Sequence, residues 1–469
     1  MLFLYASYMP IADTGSTIVA PCTPPGAGAI AILRLSGPRA FAIAASFLKP
    51  VRSLKNPRPR MAYMLSVTDG KKLVDKAVAL FYKGPKSYTG EDTVEIFCHG
   101  SPYIIRSILN LSIKAGASPA GPGEFTMRAF LKGKLDLAQA EAVNDLIASQ
   151  TRSAHRAALS QVEGSLSKQV AGLKGKLVNL LARLEARLDD SYGDMPPFGV
   201  RQFLAKANSV TAEIRKLSNG FENGRRVKEG IKVAIAGAPN SGKSSLLNAI
   251  LGYPRAIVSP AAGTTRDTVE AGLEIDGFEV NFTDTAGLKV RTPDSIERQG
   301  INRTMAAMGT ADIILLVKDA SIAQSPMDRL ALETALKNTG GKTARLIRIL
   351  NKSDLLTGKV KKIKKGGLVV SCKTGLGLSG VKRAIISGEK KYFTARTTAL
   401  VTSARHFEAL SLAAGELEKL RGLKRRPAFP LELAAEHIRG AASRLSSILG
   451  ETAPDEILAD IFKNFCVGK

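Results

Sequence analysis

Val233-Ala-Ile-Ala236 runs directly into Gly237-Ala-Pro-Asn-Ser-Gly242-Lys243-Ser244, and Ser245-Leu-Leu-Asn-Ala-Ile250 follows without a break. An apolar run, a glycine-rich loop and a helix-like segment, in this order, form the phosphate-binding loop of nucleotide-binding α/β domains. Backbone N–H groups of such a loop bind phosphate oxygens, Lys243 adds a positive charge near the β- and γ-phosphates, and Ser244 offers a hydroxyl to Mg²⁺. The stretch therefore predicts a nucleoside triphosphate site.

Three downstream motifs, each after an apolar run, narrow the nucleotide to GTP. Asp284-Thr-Ala-Gly287 offers a carboxylate for Mg²⁺ and an N–H that can detect a γ-phosphate. Asn351-Lys-Ser-Asp354 offers a carboxylate for the N1–H and 2-amino group of guanine, a donor pair that adenine lacks, and Ser371-Cys-Lys373 completes the base pocket. The GTP-binding residues predicted from these motifs are Asn240, Ser241, Gly242, Lys243, Ser244, Ser245, Asp284, Thr285, Ala286, Gly287, Asn351, Lys352, Ser353, Asp354, Ser371, Cys372 and Lys373.

The catalytic group is not the one that many regulatory GTPases use. Those proteins place a Gln directly after the glycine of the second motif to orient water, and this chain has Leu288 there. Asn240 and the oxygen-rich segment Gly263-Thr-Thr-Arg-Asp267 predict a monovalent cation near the phosphates, with Arg266 as a rival source of positive charge. Glu297 is a candidate for orienting water, and its residue type fits a solvated acid at a helix start equally well.

Length and composition limit the classes of protein. A chain of 469 residues exceeds one ordinary core and predicts two or three domains. Its 67 Lys and Arg against 41 Asp and Glu leave a net charge of +26, which favours nucleic acid or an anionic membrane surface as partner. No run approaches the roughly 18 apolar residues of a membrane span, and the first residues lack a basic signal start. The cysteines at 22, 98, 372 and 466 have no paired spacing, which predicts a reducing, cytoplasmic location.

The periodicity of apolar residues changes along the chain. The strand candidates are Ser16–Leu35, where a Gly/Pro turn is followed by Ala29–Leu33, and then Ala77–Tyr82 and Thr93–Phe97. Together they predict an N-terminal α+β domain. Helical spacing places two further sets on one face each: Leu177, Leu180, Leu181, Leu184 and Leu188, and then Phe407, Leu410, Ala414 and Leu417. Between these helical regions, strand-like runs alternate with helix-length segments, which predicts an α/β domain inserted into a helical one. Three independent domains that follow one another along the chain are the alternative. The strand-like runs are Lys232–Ala236, Val280–Thr283, Ile313–Val317, Leu346–Leu350 and Leu368–Val370.

Further motifs resemble the MnmE (TrmE) family of tRNA-modification GTPases, over nearly the whole chain from about Asp13 to Lys469. The terminal Cys-x-Gly-Lys motif and the Pro-Gly-Glu-Phe-Thr block are more specific to this family than the GTPase motifs are. The stretches that carry the resemblance are Thr23-Pro-Pro-Gly26, Tyr88-Thr-Gly-Glu-Asp92, Pro122-Gly-Glu-Phe-Thr126, Arg128-Ala-Phe130, Gly133-Lys-Leu-Asp-Leu-Ala-Gln-Ala-Glu-Ala142, Gly263-Thr-Thr-Arg-Asp267 and Cys466-Val-Gly-Lys469. Cys372 departs from the Ala that is usual in the family's guanine-base motif.

The resemblance implies a multidomain chain of α/β and α+β class. An N-terminal α+β domain at 13–133 is expected to dimerise and bind folate, and a helical domain at 134–224 and 388–469 is expected to contain a P-loop α/β G domain at 225–387. The folate is expected to be a 5-formyl or 5,10-methylene tetrahydrofolate, whose carboxylates suit cations and whose pterin N–H edge suits a carboxylate. The implied folate-binding residues are Arg34, Glu95, Lys134 and Lys469.

For the G domain, the resemblance implies that Ser244 and Thr265 bind Mg²⁺ and that Glu297 is the catalytic acid. Glu297 is chosen over Asp294 because Ile296-Glu-Arg-Gln-Gly300 matches the family. The implied K⁺ ligands are Asn240, Ser259, Ala261 and Thr264. The implied GTP contacts of the first switch are Ser259, Pro260, Ala261, Ala262, Gly263, Thr264 and Thr265.

The implied reaction adds an aminomethyl or carboxymethylaminomethyl group to C5 of the wobble uridine, position 34, of certain tRNAs. The implied assembly is a homodimer that forms a heterotetramer with an MnmG-type flavoprotein carrying FAD, and Cys466 is implied to matter for modification. The alternative is a GTP-switched RNA-binding or ribosome assembly factor, which would have no use for a one-carbon carrier. The basic runs Arg52–Arg60, Lys359–Lys365 and Arg421–Arg426 are candidate tRNA contacts, but each run by itself fits a solvated face better than a dedicated binding surface.

Overall fold

The computed structural model describes residues 15–50, 57–188, 198–252, 271–284, 308–322, 326, 329, 332–333, 344–356, 367–388, 400–424 and 428–469. These residues form two compact units. The first unit contains the described residues within 1–147, 161–215 and 408–469, and the second contains those within 148–160 and 216–407.

The first unit begins with a β-sheet whose described strands lie in the order β3-β4-β5-β6-β2-β1-β7. Strands β1 and β7 pair in parallel, and the other neighbours pair antiparallel. Alternate residues of the central strands, such as Leu33, Leu35, Val94 and Ile96, form a core with α1 and α2. The strands are β1 Ile18–Pro21, β2 Gly28–Ser36, β3 Leu48–Lys49, β4 Ala62–Asp69, β5 Lys72–Tyr82, β6 Thr93–Gly100 and β7 Ser118–Pro119.

Helices make up the remainder of the first unit, and most of α5 belongs to the second. Leu173, Leu177, Leu180 and Leu184 form the buried face of the long helix α6, and α12 packs against this helix. The helices up to α7 are α1 Ala40–Phe47, α2 Pro102–Lys114, α3 Glu124–Leu131, α4 Leu137–Ala148, α5 Arg152–Val162, α6 Ser165–Leu188 and α7 Val200–Ser218. The C-terminal helices are α11 Ala404–Leu423, α12 Leu431–Leu449 and α13 Asp455–Phe462.

The second unit contains a mainly parallel sheet, whose described strands lie in the order β13-β12-β11-β8-β10-β9. β9 is antiparallel to β10, and they are joined by Asp276-Gly277 with φ of 49° and 87°, the positive values that a two-residue hairpin requires. The strands are β8 Ile231–Ala236, β9 Ala271–Ile275, β10 Phe278–Asp284, β11 Ile313–Asp319, β12 Arg345–Asn351 and β13 Leu368–Val369. The helices are α8 Phe221–Glu229, α9 Lys243–Leu251 and α10 Leu378–Ile386, with a 3₁₀ turn at Ser353–Leu355.

The predicted class, multidomain α/β and α+β, is confirmed, and every strand predicted above lies within an observed strand or overlaps one. Two helical faces are narrower than predicted. Leu181 and Leu188 of α6 are only half-buried, because the buried stripe follows 173, 177, 180 and 184. Phe407 is 38% exposed and stacks on Phe221, with ring centroids 4.7 Å apart, instead of joining the core face of α11.

Candidate functional site

At the first and second glycines of the phosphate loop, neighbouring atoms lie too close to the backbone for any side chain. Gly237 follows β8 with φ +150°, and a Cβ there would lie 2.1 Å from the Val317 carbonyl oxygen. Gly242 precedes α9 with φ +91°, and a Cβ there would lie 2.2 Å from the Asn351 amide nitrogen. Neither position has room for a side chain, so both must be glycine. With glycine there, the loop turns sharply from β8 into the N-terminus of α9, the end of a helix that favours anions.

The predicted phosphate and ion ligands lie along this loop and the first turn of α9. The Lys243 ammonium donates to two carbonyl oxygens of the loop, each at 3.0 Å. Asn240 is exposed and has φ +60°, a conformation that Asn adopts more readily than most residues. Ser244 and Ser245 are also exposed, in the first turn of α9.

Asn351, the buried last residue of β12, connects the phosphate loop with the base-binding segment. Its amide nitrogen donates to the Ser241 carbonyl oxygen at 3.1 Å. Its Oδ1 accepts from the Cys372 backbone N–H at 3.3 Å and from the Cys372 thiol at 3.1 Å. Burial raises the pKa of this thiol, which keeps it in the neutral, donating form. Cys372 therefore adds a hydrogen bond to Asn351 that an alanine could not make.

Asp354, the predicted guanine-binding carboxylate, is exposed and is oriented by the buried Ser371. The Ser371 hydroxyl donates to Asp354 Oδ1 at 2.6 Å, and this hydrogen bond holds the pKa of Asp354 below its ordinary value. Lys352 has φ +62° and pairs with Asp319 at 2.7 Å, while the Ser353 N–H donates to a backbone carbonyl at the end of the neighbouring strand. The carboxylate is thus ionised and accessible, as recognition of the two guanine donors requires. Lys373, two residues after Ser371, is exposed.

The remaining predicted nucleotide residues can be placed only in part. Asp284 is the last residue of β10 and is in register with Ile235 of β8, near the start of the phosphate loop. The predicted residues outside the described part of the chain are Ser259, Pro260, Ala261, Ala262, Gly263, Thr264, Thr265, Thr285, Ala286, Gly287 and Glu297.

In the first unit, Arg34 and Glu95 lie opposite each other on β2 and β6. Arg34 Nη2 and Nε lie 2.8 and 2.9 Å from Glu95 Oε1, and the guanidinium lies over the rings of Tyr88 and Phe125 at 5.3 and 5.6 Å. The third guanidinium nitrogen, Nη1, is buried and has no hydrogen-bond partner among the residues that the structure describes. Since a buried donor without an acceptor is costly, this atom indicates a place for an acceptor supplied by a ligand.

The C-terminal segment contacts the same region. The Phe125 N–H donates to the Lys469 carbonyl oxygen at 3.1 Å, and the Cys22 thiol donates to the Gly468 carbonyl oxygen at 3.2 Å. Burial raises the pKa of the Cys22 thiol, and the nearby positive charges of Arg34 and Lys469 oppose this rise. The structure therefore brings Lys469 and the Arg34–Glu95 pair together around Cys22.

Two other predicted residues lie less centrally. The Lys134 ammonium donates to the Pro85 carbonyl oxygen at 3.1 Å, in the loop between β5 and β6, and has no described contact with the Arg34–Glu95 pair. Cys466 is exposed, and its carbonyl oxygen accepts from the Gly123 N–H at 3.4 Å. It lies beyond the end of α13, in the segment that docks beside α3.

Three of the recognised motifs meet in a buried ion network that sequence reasoning missed. Arg128 is 2% exposed and contacts Glu91 at 3.2 Å and Glu124 at 2.8 Å. It also donates to the Ser16 carbonyl oxygen at 2.8 Å, and the Ser36 hydroxyl donates to Glu91 at 2.8 Å. These charges join the β5–β6 loop to α3, so Glu91, Glu124 and Arg128 have a structural role here.

Comparison with known proteins extends over nearly the whole chain. The family model described as GTP-binding protein TrmE N-terminus matches residues 17–134, and the MnmE helical domain model matches residues 137–466. The tRNA modification GTPase MnmE of Syntrophotalea carbinolica is 40% identical over 461 residues, covering 97% of this chain and 99% of its own. The proteins of the same name from Akkermansia muciniphila and Flavobacterium psychrophilum are 39% and 38% identical, again over 97% of this chain and 100% and 99% of theirs. The chain belongs to the MnmE family.

Membership of the MnmE family confirms the predicted class of enzyme, a GTPase of tRNA modification. Around the Arg34 site of this MnmE-family chain, sequence reasoning missed Cys22, Tyr82 and Tyr88. Tyr82 OH lies 3.4 Å from Glu95, and burial raises the pKa of this tyrosine. Tyr88 lies inside a recognised motif, and Cys22 directly precedes another. Their closeness to these motifs in sequence could have identified them as site residues.

Proposed function

We propose that this chain is a K⁺-stimulated GTPase whose nucleotide cycle drives modification of wobble uridine 34 in certain tRNAs. In the proposed reaction it works with an MnmG-type flavoprotein carrying FAD, and an aminomethyl or carboxymethylaminomethyl group is added at C5. Family membership and the Asn351–Asp354 geometry support the GTPase part. The observation that carries the modification part is the buried Nη1 of Arg34, which lacks an acceptor within the described part of the chain.

The residues around Arg34 fit a tetrahydrofolate. The guanidinium offers a donor to an anionic or carbonyl oxygen, the Glu95 carboxylate can accept from the N–H edge of a pterin, and Tyr88 and Phe125 supply aromatic surface. Exposed Lys134 is the proposed partner for a glutamyl carboxylate, together with Lys469. When bound, a 5-formyl or 5,10-methylene tetrahydrofolate supplies the one-carbon unit, and these side chains orient it.

The nucleotide site also fits the proposed ions. Ser244 offers an exposed hydroxyl to Mg²⁺, with Thr265 as the proposed second ligand. Asn240 offers an exposed side-chain carbonyl oxygen to K⁺, with Ser259, Ala261 and Thr264 as further proposed ligands. The cations neutralise charge on the phosphates, Lys243 adds its own charge, and Glu297 is proposed to orient the attacking water.

The proposed organisation follows the family. It consists of an N-terminal folate-binding domain at 13–133, a helical domain at 134–224 and 388–469, and an inserted G domain at 225–387. The main segment of the second unit, 216–407, lies between segments of the first in sequence, which supports an inserted domain. The boundary between the two family-model matches, at 134–137, supports the end of the N-terminal domain. We propose a homodimer that forms a heterotetramer with the flavoprotein in the cytoplasm. The four free cysteines agree with a reducing location, and none of the described helices has the length and apolarity that a membrane crossing needs.

Mass spectrometry of wobble uridines tests this proposal. Cells lacking the chain are complemented with the wild type, with Arg34→Gln or with the control Arg106→Gln, whose side chain is exposed on α2. We expect the wild type and Arg106→Gln to restore the C5 substituent. Arg34→Gln should fail to do so and should lower folate affinity about tenfold or more, because it removes charge-assisted donors.

A competing outcome identifies the alternative function. If the wobble uridines are unchanged when the chain is absent while ribosomal subunits accumulate, the chain is a GTP-switched assembly factor. If modification is lost but Arg34→Gln restores it fully, the one-carbon unit is not held at Arg34.

A further inference from the structure

A groove between α6 and α7 gathers positive charge in the first unit. Its cavity has a volume of about 910 Å³. Four cations line it: Lys176, Arg183 and Arg187 from α6 and Lys206 from α7. Among the described lining residues, Glu213 is the one carboxylate. The described lining of the groove therefore carries more positive than negative charge, at a place that none of the basic runs in the sequence predicted.

Helical spacing explains how separated residues form one wall. Residues 176 and 183 are two turns apart and 187 is one further turn along, so their side chains lie on nearly the same face of α6. The side chains of Lys176 and Arg183 are exposed, and Arg187 is half-buried. A row of cations with a rise of about 6 to 10 Å between neighbours suits an extended polyanion better than a single small anion.

The ion pairs of the groove show which cations are available. The Lys176 ammonium is held by Glu213, with contacts of 2.6 and 2.7 Å. Neither Arg183 nor Lys206 has an ion-pair partner among the residues that the structure describes, and both are exposed. Their charges are thus uncompensated within the described part of the groove.

The uncharged lining residues favour RNA over a lipid surface. Asn179, Gln202 and Ser209 are exposed amide and hydroxyl groups, the types that contact phosphate and sugar oxygens of nucleic acids. Phe203 forms part of the buried floor, and the half-buried Phe198 packs against it with ring centroids 5.3 Å apart. A concave site with cations on its walls can hold a strand, whereas a flat membrane surface cannot reach its floor.

We propose that this groove binds the phosphodiester backbone of the tRNA, with Arg183 and Lys206 as the principal phosphate contacts. The proposal rests on the proposed tRNA-modification function and adds a location to it. Backbone contacts of this kind contribute affinity without sequence selection, so the groove positions tRNA and leaves recognition of the wobble base to other parts of the assembly.

The test compares two double variants of the full-length protein. Arg183→Gln with Lys206→Gln removes the two uncompensated charges of the groove. The control, Lys168→Gln with Lys216→Gln, removes two exposed charges from the same helices outside the groove. Binding of labelled tRNA is measured by fluorescence anisotropy across a range of KCl concentrations. GTP turnover, which should be unchanged in both variants, reports correct folding.

We expect the groove variant to lower tRNA affinity about tenfold and to reduce the slope of log K against log salt by about 1.5, since each phosphate contact contributes roughly 0.7 to 0.9. The control should change affinity less than about twofold. Equal losses in both variants, or none in either, would overturn the proposal. So would reduced binding of the groove variant to anionic phospholipid vesicles with unchanged tRNA binding. The proposed function has a separate test. If the groove variant binds tRNA normally but wobble-uridine modification still depends on the chain, only the location of the tRNA contact is wrong.

Discussion

The Ser371 hydroxyl holds Asp354, the predicted guanine-binding carboxylate, in place and lowers its pKa. The 2.6 Å hydrogen bond lowers the pKa of Asp354, so its carboxylate stays ionised to lower pH than an ordinary aspartate. If the ionised form accepts from the guanine donors as predicted, nucleotide affinity should be present above this pKa and should be lost as the pH falls through it. We expect Ser371→Ala to move that loss to higher pH. At neutral pH, where Asp354 is ionised in both proteins, GDP binding should weaken about three- to tenfold because the hydrogen bond that orients the carboxylate is lost.

Titration with a fluorescent GDP analogue from neutral to acid pH measures both effects. Ser379→Ala is the matched control, because Ser379 is exposed on α10 and outside the base pocket. Identical acid profiles for Ser371→Ala and the wild type would show that this hydroxyl does not control the Asp354 charge.

The sequence predicts a site residue when its role depends on its residue type and on its place in a short motif. Lys243, Asn351 and Asp354 follow strands at fixed spacing, so the sequence places them at the strand ends without knowledge of the fold. Arg128 could not be interpreted this way, because its partners Glu91 and Ser16 are 37 and 112 residues away. Only the tertiary structure distinguishes a buried ion network from a set of ligands.

At the scale of elements, docking of the C-terminal segment depends on Gly468. This residue has φ +96°, and a Cβ there would lie 2.2 Å from the Pro21 carbonyl oxygen. Gly468→Ala should therefore displace the segment from Phe125 and Cys22, and we expect folate affinity to fall about tenfold while the melting temperature changes little. Calorimetric folate titration and thermal unfolding provide the two measurements.

Gly422→Ala is the control for that substitution. Gly422 lies within α11, and a Cβ added there would meet no described atom within 4 Å, so alanine should stabilise this helix slightly or have no effect. Equal folate affinity in both variants would show that the docked segment does not contribute to the site.

The packing of α3 against the β5–β6 loop depends on one buried cation. Arg128→Met would leave Glu91 and Glu124 buried without their partner, although the methionine fills much of the volume. Breaking a buried ion network in this way should lower the free energy of unfolding by about 3 to 5 kcal/mol. Denaturant unfolding of the full-length chain measures it, and Arg106→Met on the exposed face of α2 should cost less than about 0.5 kcal/mol. Similar losses in the two variants would contradict the structural role of Arg128.

At the scale of the whole molecule, the spacing of apolar residues and the sequence motifs predicted the class of fold but not which strands pair. The two central parallel strands, β8 and β11, are buried on both faces, and their sequences are nearly continuous apolar runs. The strand pairs of the first unit depend on contacts far apart in sequence, such as β2 beside β6 and β1 beside β7, and short local patterns carry no information about them. The +26 charge likewise predicted an anionic partner without locating the groove that helical spacing creates.

Dependence on K⁺ is the property by which the proposed GTPase cycle can be tested in the whole protein. A K⁺ ion held by Asn240 would neutralise charge that develops on the phosphates, so GTP turnover should be at least about tenfold faster in KCl than in NaCl. In Asn240→Gly the glycine adopts φ +60° without strain, so the loop conformation is kept while the side-chain carbonyl oxygen is removed. We expect this variant to bind GDP normally and to lose the difference between the two salts.

Asp276→Gly provides the control, because Asp276 also has positive φ, at 49°, and lies in the β9–β10 turn away from the phosphate loop. It should retain the K⁺ advantage, since the substitution makes the same change of backbone freedom without removing the proposed ion ligand. Single-turnover hydrolysis in the two salts measures the ratio for each protein. Equal rates in KCl and NaCl for the wild type would remove K⁺ from the mechanism and return Arg266 as the source of positive charge.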